Sequence, residues 1–249
     1  MIGSEVTCDD MNRTRLMICL FFNFKRMKAL IRIKNSLQQE GNPIRASQME
    51  AYLRNQFSFY GVMSIPRKEI LKSLKKEWLD GLTPEEKRAL VKLLWVEENR
   101  ECQLLALEWM MNWKSKEFVV SDIAFFEELM TNKSWWDTVD GIAPNLVGKY
   151  ALAFPEEFEL TLSNWRFHES FWIRRACLIF QLLYRKGTNL DLLKSLINDF
   201  KDEKEFFIQK AIGWALREYG SVNPTAVLNY VKSTNLKPLS KKEAIRKII

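Results

Sequence analysis

The sequence predicts an all-α protein built from stacked helix-pair repeats, and three observations lead there. Helix punctuation recurs along the chain, apolar residues fall at helical spacing, and three stretches in the second half repeat at a fixed period. No Asn-Gly or Asp-Gly turn separates two alternating strands, and Asp140-Gly141 falls within a helical stretch. The chain has 249 residues, 47% hydrophobic and 28% charged, with only 9 Gly and 7 Pro. That is enough for a sizeable core and excludes collagen-like, low-complexity and disordered classes for the chain as a whole.

The N-terminal segment reads differently from the rest. Leu16 to Phe24 (LMICLFFNF) is a nine-residue, mostly apolar run, far short of the roughly 20 residues that cross a bilayer. Arg13 and Arg15 precede it as in a signal peptide, but no A-x-A-like cleavage site follows. Residues 1–26 are therefore expected to be an extension outside the fold, with Met27 as a natural start and residues 27–249 as the repeat domain. Further on, Thr83-Pro84-Glu85-Glu86 has the form of a capping box, with Thr83 as N-cap and Glu86 reaching back to it. Leu90, Leu93 and Leu94 give the helix behind it an apolar face, as Ile179, Leu182 and Leu183 do later. Asn223-Pro224 and Ser240 read as further helix starts, and Gly187 and Gly220 as stops.

Residues 134–150, 169–185 and 204–220 align at a period of 35. Trp136, Phe171 and Phe206 then share a register, as do Asp140, Arg175 and Lys210, and Pro144, Ile179 and Trp214. A helix pair of this length cannot bury its apolar face alone, so neighbours stack into a HEAT-like solenoid with one concave side. Equivalent positions line up in such a stack, so Asp140, Arg175 and Lys210 are expected in a row across a basic groove, with the cations holding Asp140 ionised.

Charge and residue usage narrow the function. The formal net charge is +7, and Lys232, Lys237, Lys241, Lys242, Arg246 and Lys247 crowd the C-terminal end. Such an excess suits a nucleic-acid partner. Arg67 and Lys68 after Pro66 add a second basic pair. Arg174 and Arg175 lie inside an apolar helix, where a lone buried arginine is rare, so at least one must reach a groove or a partner. Cys8, Cys19, Cys102 and Cys177 are far apart and His168 is the single histidine. This disfavours a zinc or iron–sulfur site and histidine-based triads, and suits reduced thiols in the cytoplasm. His168, in FHES, reads as a helix-end residue. No phosphate-cradling glycine loop or nucleophile elbow is present.

Within SWWDTVDGIAP (134–144), Trp136 and Asp140 are four apart and project from one helical face. Gly141 and Pro144 follow at once, and both weaken a helix. Most of the nine tryptophans, Trp95, Trp109 and Trp113 among them, are expected in the core. An indole facing a basic groove would instead stack on bases or hold a cationic base by its π face.

Together with MEAYLRNQFSFYG (49–61), WIRRACLIFQL (172–182), KEFFIQKAIGWALREYG (204–220) and PLSKKEAIRKI (238–248), that string makes the sequence similar to AlkD-like DNA alkylation repair proteins, bacterial glycosylases built from HEAT-like repeats. The resemblance spans nearly everything from residue 27 onward. It implies that Asp140 is the catalytic carboxylate, that Trp136 and Trp214 face the lesion, and that Arg175 and Tyr52 contact DNA. Lys210, Arg67 and Lys68 are expected to join them in binding DNA, although the chain reads Pro66-Arg67-Lys68 where the family often has Pro-Glu-Arg. The implied activity is monofunctional excision of cationic N3- or N7-alkylated purines from duplex DNA by a monomer in the cytoplasm. It implies no cofactor, metal or membrane. The rival reading is a non-catalytic HEAT scaffold that binds DNA structure or protein. Because residues 1–26 lie outside both the repeats and the matched stretches, a chain beginning at Met27 is expected to keep its helicity and solubility by circular dichroism and gel filtration; loss of either would show that Leu16–Phe24 caps the first repeat.

Overall fold

The computed structural model describes residues 25–246 and Ile248. The expected N-terminal extension, apart from Lys25 and Arg26, lies outside the described residues, as do Cys8, Cys19 and Lys247. Among the described residues the chain is helical throughout, without a named strand; Ser58 and Asn99 form an isolated bridge. No described helix is long and apolar enough to cross a membrane.

Proline sets many of the helix starts. After α1 (residues 25–39), the first unit of the chain carries α2 (Pro43–Tyr52), α3 (Ser64–Leu74), α4 (Pro84–Val96) and α5 (Arg100–Met110). The second carries α6 (Asp122–Thr131), α7 (Trp136–Ile142), α8 (Gly148–Ala153), α9 (Pro155–Trp165), α10 (Phe171–Ile179), α11 (Leu190–Phe200), α12 (Phe206–Gly220), α13 (Pro224–Ser233) and α14 (Pro238–Ile245). Pro43, Pro84, Pro155, Pro224 and Pro238 each open a helix, where the missing N–H has no intrahelical partner to lose. The capping box is formed: Glu86 N donates to Thr83 Oγ1 at 3.2 Å, and Thr83 N donates to Glu86 Oε2 at 2.8 Å. Asn42, Asn189 and Asn223 cap α2, α11 and α13 through side-chain oxygens.

Three expected boundaries differ. Ser240 is not a helix start but lies inside α14, its hydroxyl donating to Gln209 O at 3.0 Å. The helix carrying Ile179 ends there, so Leu182 and Leu183 fall in turns rather than on its apolar face. Gly187 closes a 3-10 turn (Arg185–Gly187) beyond α10 rather than α10 itself, whereas Gly220 is the last residue of α12.

The chain divides into two compact units, Met1–Trp109 and Met110–Ile249, within the span expected as one repeat domain. In the first, the α2–α3 loop is fastened by a fully buried carboxylate. Glu101 accepts from Tyr60, Gly61 and Val62 N–H groups at 3.0, 2.8 and 2.9 Å. Gly61 sits at φ +89°, where any side chain would also overlap Asn42. Trp95 and Trp109 are buried here, and Trp113 in the second unit, as expected of core residues.

In the second unit, α7, α10, α12 and α14 pack in succession as one layer. Helix α9 lies against α10, α11 against α10 and α12, and α13 against α12 and α14. This is the helix-pair stacking that the period of 35 predicts. Between α7 and α8 the helix widens into a π turn, Ala143–Val147, in which Gly148 N donates to Ala143 O. Pro144 causes it: the residue has no N–H for the Asp140 carbonyl four positions back, and its ring would press on that carbonyl. Asn145 Nδ2 covers the neighbouring Gly141 carbonyl at 2.9 Å.

Helices α12 and α14 meet at Gly213, where an added Cβ would overlap Glu243 Cβ and come within 2.9 Å of Ser240 O. Gly213→Ala is therefore expected to destabilise the fold by about 1–3 kcal/mol through overpacking against backbone, read as a lower midpoint in thermal or urea unfolding; an unchanged midpoint would show that α14 shifts freely.

Candidate active site

Asp140 stands on α7, the first helix of the second unit's α7, α10, α12, α14 layer. Its carboxylate takes both forks of one guanidinium: Arg175 Nε donates to Oδ1 at 2.7 Å and Nη2 to Oδ2 at 2.8 Å. Arg175 Nη1 donates in the opposite direction, to the Phe207 carbonyl at the start of α12. One side chain on α10 thus ties α7 to α12. Arg175 is 5% exposed and Asp140 19%, so the pair is shielded on the arginine side and open on the carboxylate side.

Beside Arg175 lies a ring cluster, with the Phe207 centroid 5.9 Å from the guanidinium carbon. Trp135 packs against Trp172 at 5.7 Å and Phe207 at 5.5 Å between centroids, and Phe171 stacks parallel to Phe207 at 6.2 Å. Burial takes the Asp140 carboxyl partly out of water. Its pKa stands above the ordinary aspartate value: burial raises it first, the Arg175 hydrogen bonds and charge pull it down, and nearby Asp137 adds to the rise. The expectation that basic neighbours dominate this carboxylate is thus corrected, because burial outweighs its single cationic partner.

Trp136 opens α7, one turn before Asp140 on the same face, and is half-buried. Trp214 lies on α12, also half-buried, and its Nε1 donates to Glu218 Oε1 at 3.3 Å. The predicted row of Asp140, Arg175 and Lys210 forms only in part. Asp140 and Arg175 touch, whereas Lys210 turns to Glu243 on α14, its Nζ 3.0 Å from Oε1. Arg217 Nη1 holds the other oxygen of Glu243 at 2.6 Å, and these two cations, with burial opposing them, lower the Glu243 pKa, Lys210 contributing most.

Two expected DNA contacts need correction on geometry. Arg175 is engaged on both sides inside the protein, so it orients Asp140 rather than offering a free cation to phosphate. Arg67, on α3, is 6% exposed and bound bidentately by Glu108 at 3.1 and 2.9 Å, with Nη1 also donating to Val62 O. It braces α3 on α5. Lys68, its neighbour, and Tyr52, at the end of α2, are exposed. Arg174 is paired with Glu203, so both arginines of the apolar helix have the partners their burial demands. His168 sits before α10, its Nδ1 accepting from Ser170 N at 2.9 Å, the helix-end position the sequence implies. Glu218 and Glu243 escaped sequence reading; the one signal for Glu218 is its spacing of four after Trp214, and Glu243 carries none.

A stack of helical repeats displaying a half-buried carboxylate, clamped by arginine and one helical turn from the indole of Trp136, defines a helical-repeat protein with a carboxylate-centred site. The chain belongs to the DNA alkylation repair enzyme family, whose sequence profile matches residues 33–248. Among solved structures it is similar to one described as "Predicted DNA alkylation repair enzyme from Enterococcus faecalis", with 32% identity and a TM-score of 0.76 over 84% of this chain and 97% of that one. Comparison with curated proteins returns no match.

Burial alone would keep Asp140 protonated to higher pH, and Arg175 opposes it. Because the net shift is upward, Asp140 favours folding below the ordinary aspartate pKa, and that contribution is lost as pH rises through its folded value. Arg175→Gln removes the cation that lowers it by hydrogen bonding and charge, so the Asp140 carboxyl is expected to titrate at still higher pH, followed by carboxyl carbon NMR. Titration at the same pH in both proteins would mean that the guanidinium contributes little to the charge on Asp140.

Proposed function

We propose that this chain is a monofunctional DNA glycosylase that removes cationic N3- and N7-alkylated purines, 3-methyladenine and 7-methylguanine, from duplex DNA. The observation that carries the reading is the arginine-clamped, partly open carboxylate of Asp140 one turn from the half-buried indole of Trp136, in a chain of the DNA alkylation repair enzyme family.

The chemistry follows from the residue types. Alkylation at ring nitrogen 3 or 7 makes the base cationic and a good leaving group. As the base departs neutral, positive charge develops on the deoxyribose, resembling an oxocarbenium ion. The open oxygen face of Asp140 stabilises that charge and orients the attacking water. Arg175 fixes the carboxylate plane and favours its ionised form. The indoles of Trp136 and Trp214 hold the cationic base or its sugar through their π faces. Duplex DNA is the partner, with Tyr52, Lys68 and Lys210 on its backbone. Lys210 reaches phosphate by exchanging Glu243 for it.

Asp140→Asn is nearly isosteric and keeps a hydrogen-bond acceptor for Arg175, but it carries no charge. Single-turnover release of 7-methylguanine at saturating enzyme, corrected for spontaneous depurination, is expected to fall by on the order of 10² to 10³. Equal rates for mutant and parent would remove Asp140 from the mechanism and favour a non-catalytic scaffold.

A further inference from the structure

Trp214 is surrounded by an uneven set of charges. On α12, Lys210 lies one turn before it and Arg217 three residues after it, so all three share a helical face. Both cations are engaged by one acid, Glu243 of α14, at 3.0 and 2.6 Å. Glu218, one turn beyond Trp214, has no such neutralisation. Its carboxylate accepts from Trp214 Nε1 at 3.3 Å, and no ion pair to it forms among the described residues. It lines a cavity of about 440 Å³ between α10 and α12. Arg185 and Lys186 line the same cavity without pairing with it.

We propose that Glu218 is a positioning residue that makes Trp214 selective for a cationic base, by holding the indole through its N–H and placing an uncompensated negative charge behind the ring. The inference rests on the glycosylase reading and deepens it. A carboxylate accepting from an indole N–H fixes the ring plane and pushes electron density onto its faces. Those faces attract a positive charge, and the attraction grows when the pair is removed from water. A positive surface draws DNA as a whole, but it also repels a cationic base. Glu243 neutralises Lys210 and Arg217 in the free protein, phosphate takes its place on Lys210 in the complex, and Glu218 then sets the local sign at Trp214. The face binds a polyanion while one ring on it prefers a cation. Discrimination between an alkylated purine and a normal one is thereby assigned partly to charge recognition at Trp214, separate from the transition-state role of Asp140.

The test compares affinity for two duplexes. One carries 7-methylguanine on a 2′-fluorinated sugar, which keeps the base cationic while resisting excision. The other carries 7-methyl-7-deazaguanine, a neutral analogue of the same shape. The full-length parent is expected to bind the cationic duplex more tightly. Glu218→Gln, which keeps the shape and loses the charge, is expected to reduce that preference about three- to tenfold, the scale of a partly desolvated cation–π contact. Affinity for the neutral duplex should change little. In a Trp214→Phe background, Glu218→Gln should add no further loss. A parent that excises 7-methylguanine while Glu218→Gln retains the full preference would overturn the role of Glu218 alone. A parent with no excision of 7-methylguanine would overturn the glycosylase reading, and this inference with it.

Discussion

The Arg175–Asp140 pair is the interaction on which the second unit's site depends. A guanidinium with three of its donors engaged cannot rotate without abandoning either the Asp140 carboxylate or the Phe207 carbonyl. Because those acceptors belong to α7 and α12, and the arginine to α10, the relative placement of three helices is encoded in one planar group. Replacing both partners by apolar residues of similar volume would cost little stability, since buried ion pairs seldom stabilise more than such residues do. The pair is better explained by orientation: it exposes one side of a carboxylate and fixes its plane.

The second organising constraint is the close packing of α14. With hydrogen in place of a side chain at Gly213, α14 comes near enough for Glu243 to reach both Lys210 and Arg217. The terminal helix therefore does more than cover the end of the stack, because it decides which cations of α12 remain available. Only about 7% of Glu243 is exposed, so its charge acts locally rather than across the surface.

Much of the fold was legible in the sequence, and the reasons are local. Thr83 and Glu86 cap each other across three residues, and Asn223-Pro224 opens α13 by backbone geometry alone. The period of 35 anticipated that Asp140 and Arg175 would meet, because repeats stacked on one another bring equivalent positions together. The same rule failed for Lys210. Glu243 belongs to a segment with no position in that repeat alignment, and it competes for the lysine. Ser240 looked like a cap because serine favours that role, whereas Pro238 starts the helix earlier and leaves the hydroxyl to bind Gln209. Arg67 looked like a surface cation because it follows Pro66 beside Lys68, and its partner Glu108 lies 41 residues away.

The π turn at Ala143–Val147 has a consequence for how this chain tolerates length changes. One extra residue in a helical turn shifts the angular phase of everything after it by about 100°. Upstream of the turn, Asp140 points to α10. Downstream, Lys149 Nζ donates to the carbonyl of Met111 at 2.8 Å and the Tyr150 hydroxyl to that of Val120, also at 2.8 Å. A single continuous rod thus serves two sets of neighbours that no uniform α-helix could face together. Deleting one residue here would yield a more regular helix and rotate Lys149 and Tyr150 away from their acceptors. Helical regularity and satisfied tertiary contacts run in opposite directions at this point of the chain, and the proline that disturbs the helix is what keeps both halves in phase with what surrounds them.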